Sequence, residues 1–223
     1  MAMRLLDDRG AALVVALLVT TLMAAIGMAL VLTTTVEVAI SGRYGARQEA
    51  MYAAEAALER ALGDLLAAAD WNGILQGTQR SSFTDGAASG TRMLADGARL
   101  DLSAMLNVAN CGRATTCTTS DMDAATADRP WGANNPRWTL YAHGPLSAML
   151  PPESIAAPIY VVVLVGDDSL ENDNNPIADG SDAENPGSGL VSLRAEAFGA
   201  GGTHAAIEVT VSRARLVSWR AIR

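Results

Sequence analysis

An α+β fold, with one long N-terminal helix packed on an antiparallel β-sheet head, follows from three features of the sequence. An uncharged apolar run opens the chain, an amphipathic helical pattern continues it without a break, and strand-like alternation gathers near the C-terminus.

From Gly10 to Val36 there is no charged residue, and Ala11–Leu32 is apolar except for Thr20, Thr21 and Gly27. A helix needs about 20 apolar residues to cross a bilayer. After Val36 the helical pattern goes on. Ile40, Tyr44, Arg47, Met51, Ala54, Leu58, Leu62, Leu65 and Ala69 recur at spacings of three and four, the signature of one apolar stripe. Glu37, Arg43, Glu49, Glu55, Glu59 and Arg60 fall largely off that stripe, and Arg60 and Asp64 make an i,i+4 pair. Dense alanine favours helix, Gly42 and Gly45 weaken it, and the first proline is Pro130. The spacing therefore predicts one helix from Ala11 to Ala69. At 1.5 Å per residue it is on the order of 90 Å long. Its first half has no polar face and needs lipid or other helices all round. Its second half needs a globular domain on one side.

The flank before the apolar run carries Arg4 and Arg9 as well as Asp7 and Asp8. Arginines set orientation more than acids do, so the N-terminus is expected in the cytoplasm and the rest outside it. Two plainer readings compete. One is a cleaved secretory signal, but its apolar region usually runs only about 7–15 residues. The other is an ordinary anchor on an unrelated periplasmic binding domain.

Two motifs narrow the choice. The run Arg9-Gly10-Ala11-Ala12-Leu13-Val14-Val15-Ala16-Leu17-Leu18 and the later Met51-Tyr52-Ala53-Ala54-Glu55-Ala56-Ala57-Leu58-Glu59-Arg60 resemble the PilX group of type IV minor pilins. The resemblance covers the helix and is looser beyond Arg60 until the C-terminal hairpin. It implies a prepilin leader over 1–10, cleavage between Gly10 and Ala11 by a prepilin peptidase, and N-methylation of Ala11. Residues 11–36 would form the transmembrane and assembly half of the helix, 37–70 its amphipathic half, and 71–223 a periplasmic head. The implied partners are other pilin or minor pilin subunits, met through the helix. The implied location is a single-pass inner-membrane protein that reaches the pilus and cell surface after assembly. The chain departs from the bulk-subunit pattern at Ala11, where phenylalanine is usual, and at Val15, where most pilins place a glutamate that pairs with a neighbour's amine. This favours an accessory, priming or tip subunit and leaves a type II secretion pseudopilin as an alternative.

The head begins with a stretch, 71–137, of little periodicity. Trp71, Phe83, Leu94, Leu100, Leu102, Met105, Leu106 and Trp131 are its expected core anchors, and Ala98–Val108 reads equally as helix or strand. Cys111 and Cys117 lie across Gly-Arg-Ala-Thr-Thr. In an oxidising compartment such a pair in a polar stretch is expected to form a disulfide. Thr139–Ala142 is a short strand, and the β-branched run Ile159–Val165 suits a central one. Val191, Leu193, Ala195 and Ala197 alternate with polar or larger residues. Gly199–Gly202 then turns, and Ala205, Ile207, Val209 and Val211 alternate again, giving a hairpin with one buried face.

Between these strands lies the most acidic stretch, Asp167–Glu184, with seven carboxylates and no Lys or Arg between Arg137 and Arg194. A solvated loop is one reading. The other is a Ca²⁺ site, since that ion selects crowded hard oxygens and tolerates irregular geometry. Asp173 and Asp179 bracket the Asn-rich turn, and Asp167 and Asp168 leave the end of a strand. No other cofactor is expected.

Composition closes several routes. A net charge of −8 with no lysine gives no nucleic-acid surface. Two histidines and two cysteines fall short of most zinc sites. There is no nucleophile elbow, P-loop or His-Glu-x-x-His, and His143 and His204 stand in separate segments beside strands. A structural protein, not an enzyme, is the expectation.

Overall fold

A computed structural model describes residues 8–151, 157–169, 171, 174–179, 189–213 and 216–222. The chain divides into two compact units, Met1–Gly45 and Ala46–Arg223. Helix α1, Asp8–Ala67, supplies the described part of the first unit and the opening element of the second.

From Gly10 to Val36 α1 carries no charged residue, and Leu13, Leu18, Met23 and Leu30 are each at least 60% exposed. The hydroxyls of Thr20, Thr21, Thr33, Thr34 and Thr35 donate back to carbonyls three or four residues earlier, at 2.8–3.1 Å. These bonds leave the apolar surface without unsatisfied polar atoms at those positions.

The second unit is built on a five-stranded antiparallel meander: β3 Thr139–Pro145, β4 Tyr160–Asp167, β5 Leu190–Phe198, β6 His204–Ser212 and β7 Leu216–Ile222. One face of this sheet receives the C-terminal half of α1. Ala50, Ala53, Ala54, Ala57, Leu58, Ala61 and Leu65 are buried there against Val161, Val163, Leu193, Ala195, Ile207 and Val209. Alanine at five of those seven helix positions lets the backbone lie close to the β-branched floor, and its burial costs no rotamer entropy. The stripe expected from Ile40 is thus corrected at its start. Ile40 and Tyr44 are 62% and 66% exposed, since α1 is the sole described element of the unit that holds them. Arg47 is also exposed, and Met51 and Leu62 lie at the margin of the contact.

The other sheet face is covered at β3 and β4 by a small insert. Strands β1 (Thr91–Met93) and β2 (Arg99–Asp101) form a two-stranded ribbon that runs directly into helix α3, Leu102–Cys111. Leu102, Trp138, Leu140, Tyr160, Val162 and Leu164 make a second core there, so β4 is buried along its whole length. Ala98–Val108 therefore contains both a strand and a helix. The switch falls at Asp101, whose carboxylate accepts from the Ala104 amide at 3.0 Å and caps α3. Gly112 ends the helix at φ +67°, a conformation that suits glycine.

The disulfide joins Cys111 to Cys117, with Cα atoms 5.8 Å apart. It ties the end of α3 to α4, Thr119–Asp123, which begins with a reciprocal Thr118–Asp121 cap. The short helix α2, Asn72–Leu75, places Trp71, Ile74 and Leu75 in the main core. The outer edge of β3 is occupied by Ser81–Asp85, through Ser81 N–H to Tyr141 O, His143 N–H to Phe83 O and Asp85 N–H to His143 O, each 3.1 Å. Strand β7, which the sequence pattern did not reveal, is the opposite edge. Leu216, Val217 and Trp219 on it are about half exposed.

Candidate functional site

The first functional element is the start of α1. Gly10 and Ala11 are exposed helical residues, and nothing lies within 4 Å of the point where a Cβ on Gly10 would stand. Among the described residues, that side of the backbone is open. Val15 is 59% exposed and supplies no carboxylate to a neighbour. Residues 1–7, most of the leader expected from the sequence, lie outside the described residues.

The second element is the acidic turn after β4. Asp167 and Glu171 are both 2% exposed, and Asp179 is half-buried. Each brings one carboxylate oxygen to within 4.8 Å of the other two. The amide of Asp179 donates to Asn72 Oδ1 at 2.8 Å, and its own Oδ1 accepts from the Gly189 amide at 2.6 Å. Burial raises the Asp179 carboxyl above its usual range, against the pull of that Gly189 bond and of Arg213. Asp168, expected beside Asp167, is buried outside this trio and lines a cleft on the outer sheet face. Asp173 lies outside the described residues. Glu171 was not singled out by the sequence; its place three residues after Asp168, at the base of the turn, is the signal that was there.

The third element is a polar network inside the head. His143 is wholly buried, with Nδ1 2.7 Å from Asp85 Oδ1 and 3.3 Å from the Tyr160 hydroxyl. Arg92 Nε donates to the same Asp85 oxygen at 2.8 Å. Burial pushes the His143 imidazole below its usual range, although Asp85 pulls the other way. Asp85, pushed up by burial, is still held below the carboxylate range by Arg92, Tyr160 and His143. His143 Nε2 is buried with no hydrogen-bond partner among the described residues. The arrangement fits a neutral imidazole that donates Nδ1–H to Asp85 and keeps a bare lone pair on Nε2. Its work is to hold Ser81–Asp85 on the sheet. His204 lies at the surface, with Nε2 2.9 Å from Glu196.

An N-terminal apolar helix that continues onto an antiparallel sheet is the architecture of pilin-like proteins. Residues 9–59 match the model of the family described as PilX N-terminal, a span that takes in most of α1. That helix is similar to the N-terminal helix of PilX-type pilins, a structural family related to type IV pili, and by length and composition it is a candidate membrane span. No curated protein and no solved structure matches the chain.

Proposed function

We propose that the protein is a minor pilin-like structural subunit that takes part in type IV pilus assembly or in its priming or tip complex. The family match over 9–59, lying on a helix with no polar face from Gly10 to Val36, is the observation that carries this reading. Cleavage of the Gly10–Ala11 bond by a prepilin peptidase frees the amine of Ala11, which is then methylated. The N-terminus starts in the cytoplasm and the head in the periplasm, as Arg4 and Arg9 favour. On assembly the apolar half of α1 exchanges lipid for the helices of other pilin subunits, both of which are apolar surroundings. Val15 lacks the charge that a bulk subunit offers its neighbour, which supports a rare position over a place in the shaft. Sheared filaments analysed by mass spectrometry test this. The chain is expected in them, far below the bulk subunit. Its absence, with normal filament numbers in a deletion strain, contradicts the proposal.

A Ca²⁺ ion held by Asp167, Glu171 and Asp179 is proposed for the acidic turn. Three converging carboxylates, two of them buried, repel one another, and a divalent cation offsets that repulsion.

A further inference from the structure

The outer face of the C-terminal sheet carries two cross-strand rows in register. Ser192, Thr210 and Ser218 form one, and Arg194, Glu208 and Arg220 the other. These six side chains floor a cleft of about 390 Å³, within the size range of small-ligand sites. Its wall includes Trp131 and Trp138. Trp131 was expected in the core, yet it is 46% exposed, whereas Trp138 is 8% exposed. A large indole left open beside a polar floor is the unusual feature here, because exposed apolar bulk next to converging polar groups marks recognition.

The arginines of the cleft are already engaged, and the other charged groups lining it, Asp128, Asp168 and Glu208, are acidic. Arg194 pairs with Glu196 at 2.8 Å, and Arg220 pairs with Glu208. Arg129, also on the wall, donates to the carbonyls of Asn110 and Pro136. A ligand anion would have to compete with these partners, whereas a neutral polyol needs only hydroxyl-scale hydrogen bonds. The hydroxyl row supplies them: Ser218 Oγ accepts from the Thr210 amide at 3.3 Å and keeps its own proton to donate. Neighbouring strands lie about 4.8 Å apart, so successive hydroxyls are spaced close to the length of one pyranose ring. The apolar C–H face of such a ring suits the open indole.

We propose that this cleft binds a neutral oligosaccharide, with pyranose rings stacked on Trp131 and hydrogen-bonded along Ser192, Thr210 and Ser218. The site is separate from α1 and from the acidic trio, so it adds a recognition surface to the head whatever filament carries it.

The test uses the full chain in lauryldimethylamine oxide micelles, whose headgroup carries no sugar. Maltotriose, cellotriose and N,N′-diacetylchitobiose are titrated separately, with tryptophan fluorescence and heat as readouts. At least one is expected to bind with a dissociation constant of about 1 mM or tighter. Trp131→Ala should weaken that binding roughly tenfold or more, with an unchanged melting temperature because the ring is exposed. Thr210→Val, which removes the middle hydroxyl at nearly constant volume, should weaken it as well. Failure of all three sugars to bind at about 10 mM overturns the proposal. So does binding that survives both substitutions, or a Gly/Ser-rich peptide that binds where the sugars do not.

Discussion

The guanidinium of Arg213 sits over the ring of Trp71, 4.5 Å from its centroid, and Trp71 Nε1 donates to the Leu65 carbonyl at 3.0 Å. Trp71 follows the end of α1 and Arg213 follows the end of β6, so one indole fastens the helix terminus to the sheet it covers. Trp71 is 1% exposed. Trp71→Ala should cost about 3–5 kcal/mol, the usual range for a large buried aromatic. Arg213→Ala, at the surface, should cost no more than about 1 kcal/mol. Thermal melting followed by near-ultraviolet circular dichroism checks both, and equal losses would contradict the account of Trp71 as the fastening group.

The Cys111–Cys117 bridge closes a short loop, a sequence separation of six. Chain-entropy arithmetic gives about 2–3 kcal/mol of stabilisation for a loop of this size. Protein purified without reductant should show no alkylation at either cysteine, and reduction should lower the melting temperature of the head. Ready alkylation before reduction would remove the bridge from the structure.

Acidification should destabilise the head in two stages. His143 is held below its unfolded value of about 6.5, so the unfolded chain takes up a proton first and stability falls as pH drops below that value. Protonation would also put an N–H on Nε2, which has no acceptor among the described residues. Asp85 and Glu196, both held low, contribute stability that is lost only below about pH 4.5. Melting temperatures between about pH 7 and 5 should therefore fall in the parent protein, and the slope should be smaller in His143→Gln. An equal slope in the two would show that His143 does not carry it.

Metal at the acidic turn should stabilise only the folded state. At a hundredfold excess over the dissociation constant the gain is about 2.7 kcal/mol. Melting in millimolar calcium and then in chelator measures it, and Glu171→Gln should reduce the difference. Identical midpoints would show that Asp167, Glu171 and Asp179 close the turn without a metal ion.

Local pattern carried the fold a long way. The β-branched run at β4 and the alternation through Val191–Ala197 and Ala205–Val211 appear as the strands they predicted, paired antiparallel as expected. Strand β7 escaped notice because it is an exposed edge with no buried face: Val217 and Trp219 keep the period of two, while Leu216 precedes them out of phase at the register shift. The network of Asp85 with His143 was illegible for another reason: 58 residues separate the pair, and no local period links them. Trp131 shows the same limit from the opposite side. Size and hydrophobicity marked it for the core, but only the placement of β5, β6 and β7 shows which side of it faces a cleft. The acidic turn lay in between. Its carboxylates were evident in the sequence, while the choice of Glu171 over Asp168 depends on where the chain bends after β4.

The intact mass of the chain extracted from membranes decides whether α1 is made as a prepilin helix. Cells with an active prepilin peptidase should yield a protein that starts at Ala11, heavier than the bare sequence by one methyl group on its amine. A mass that retains residues 1–10 in those cells, or a chain that starts near Leu30 as ordinary signal cleavage would leave it, would contradict the pilin reading.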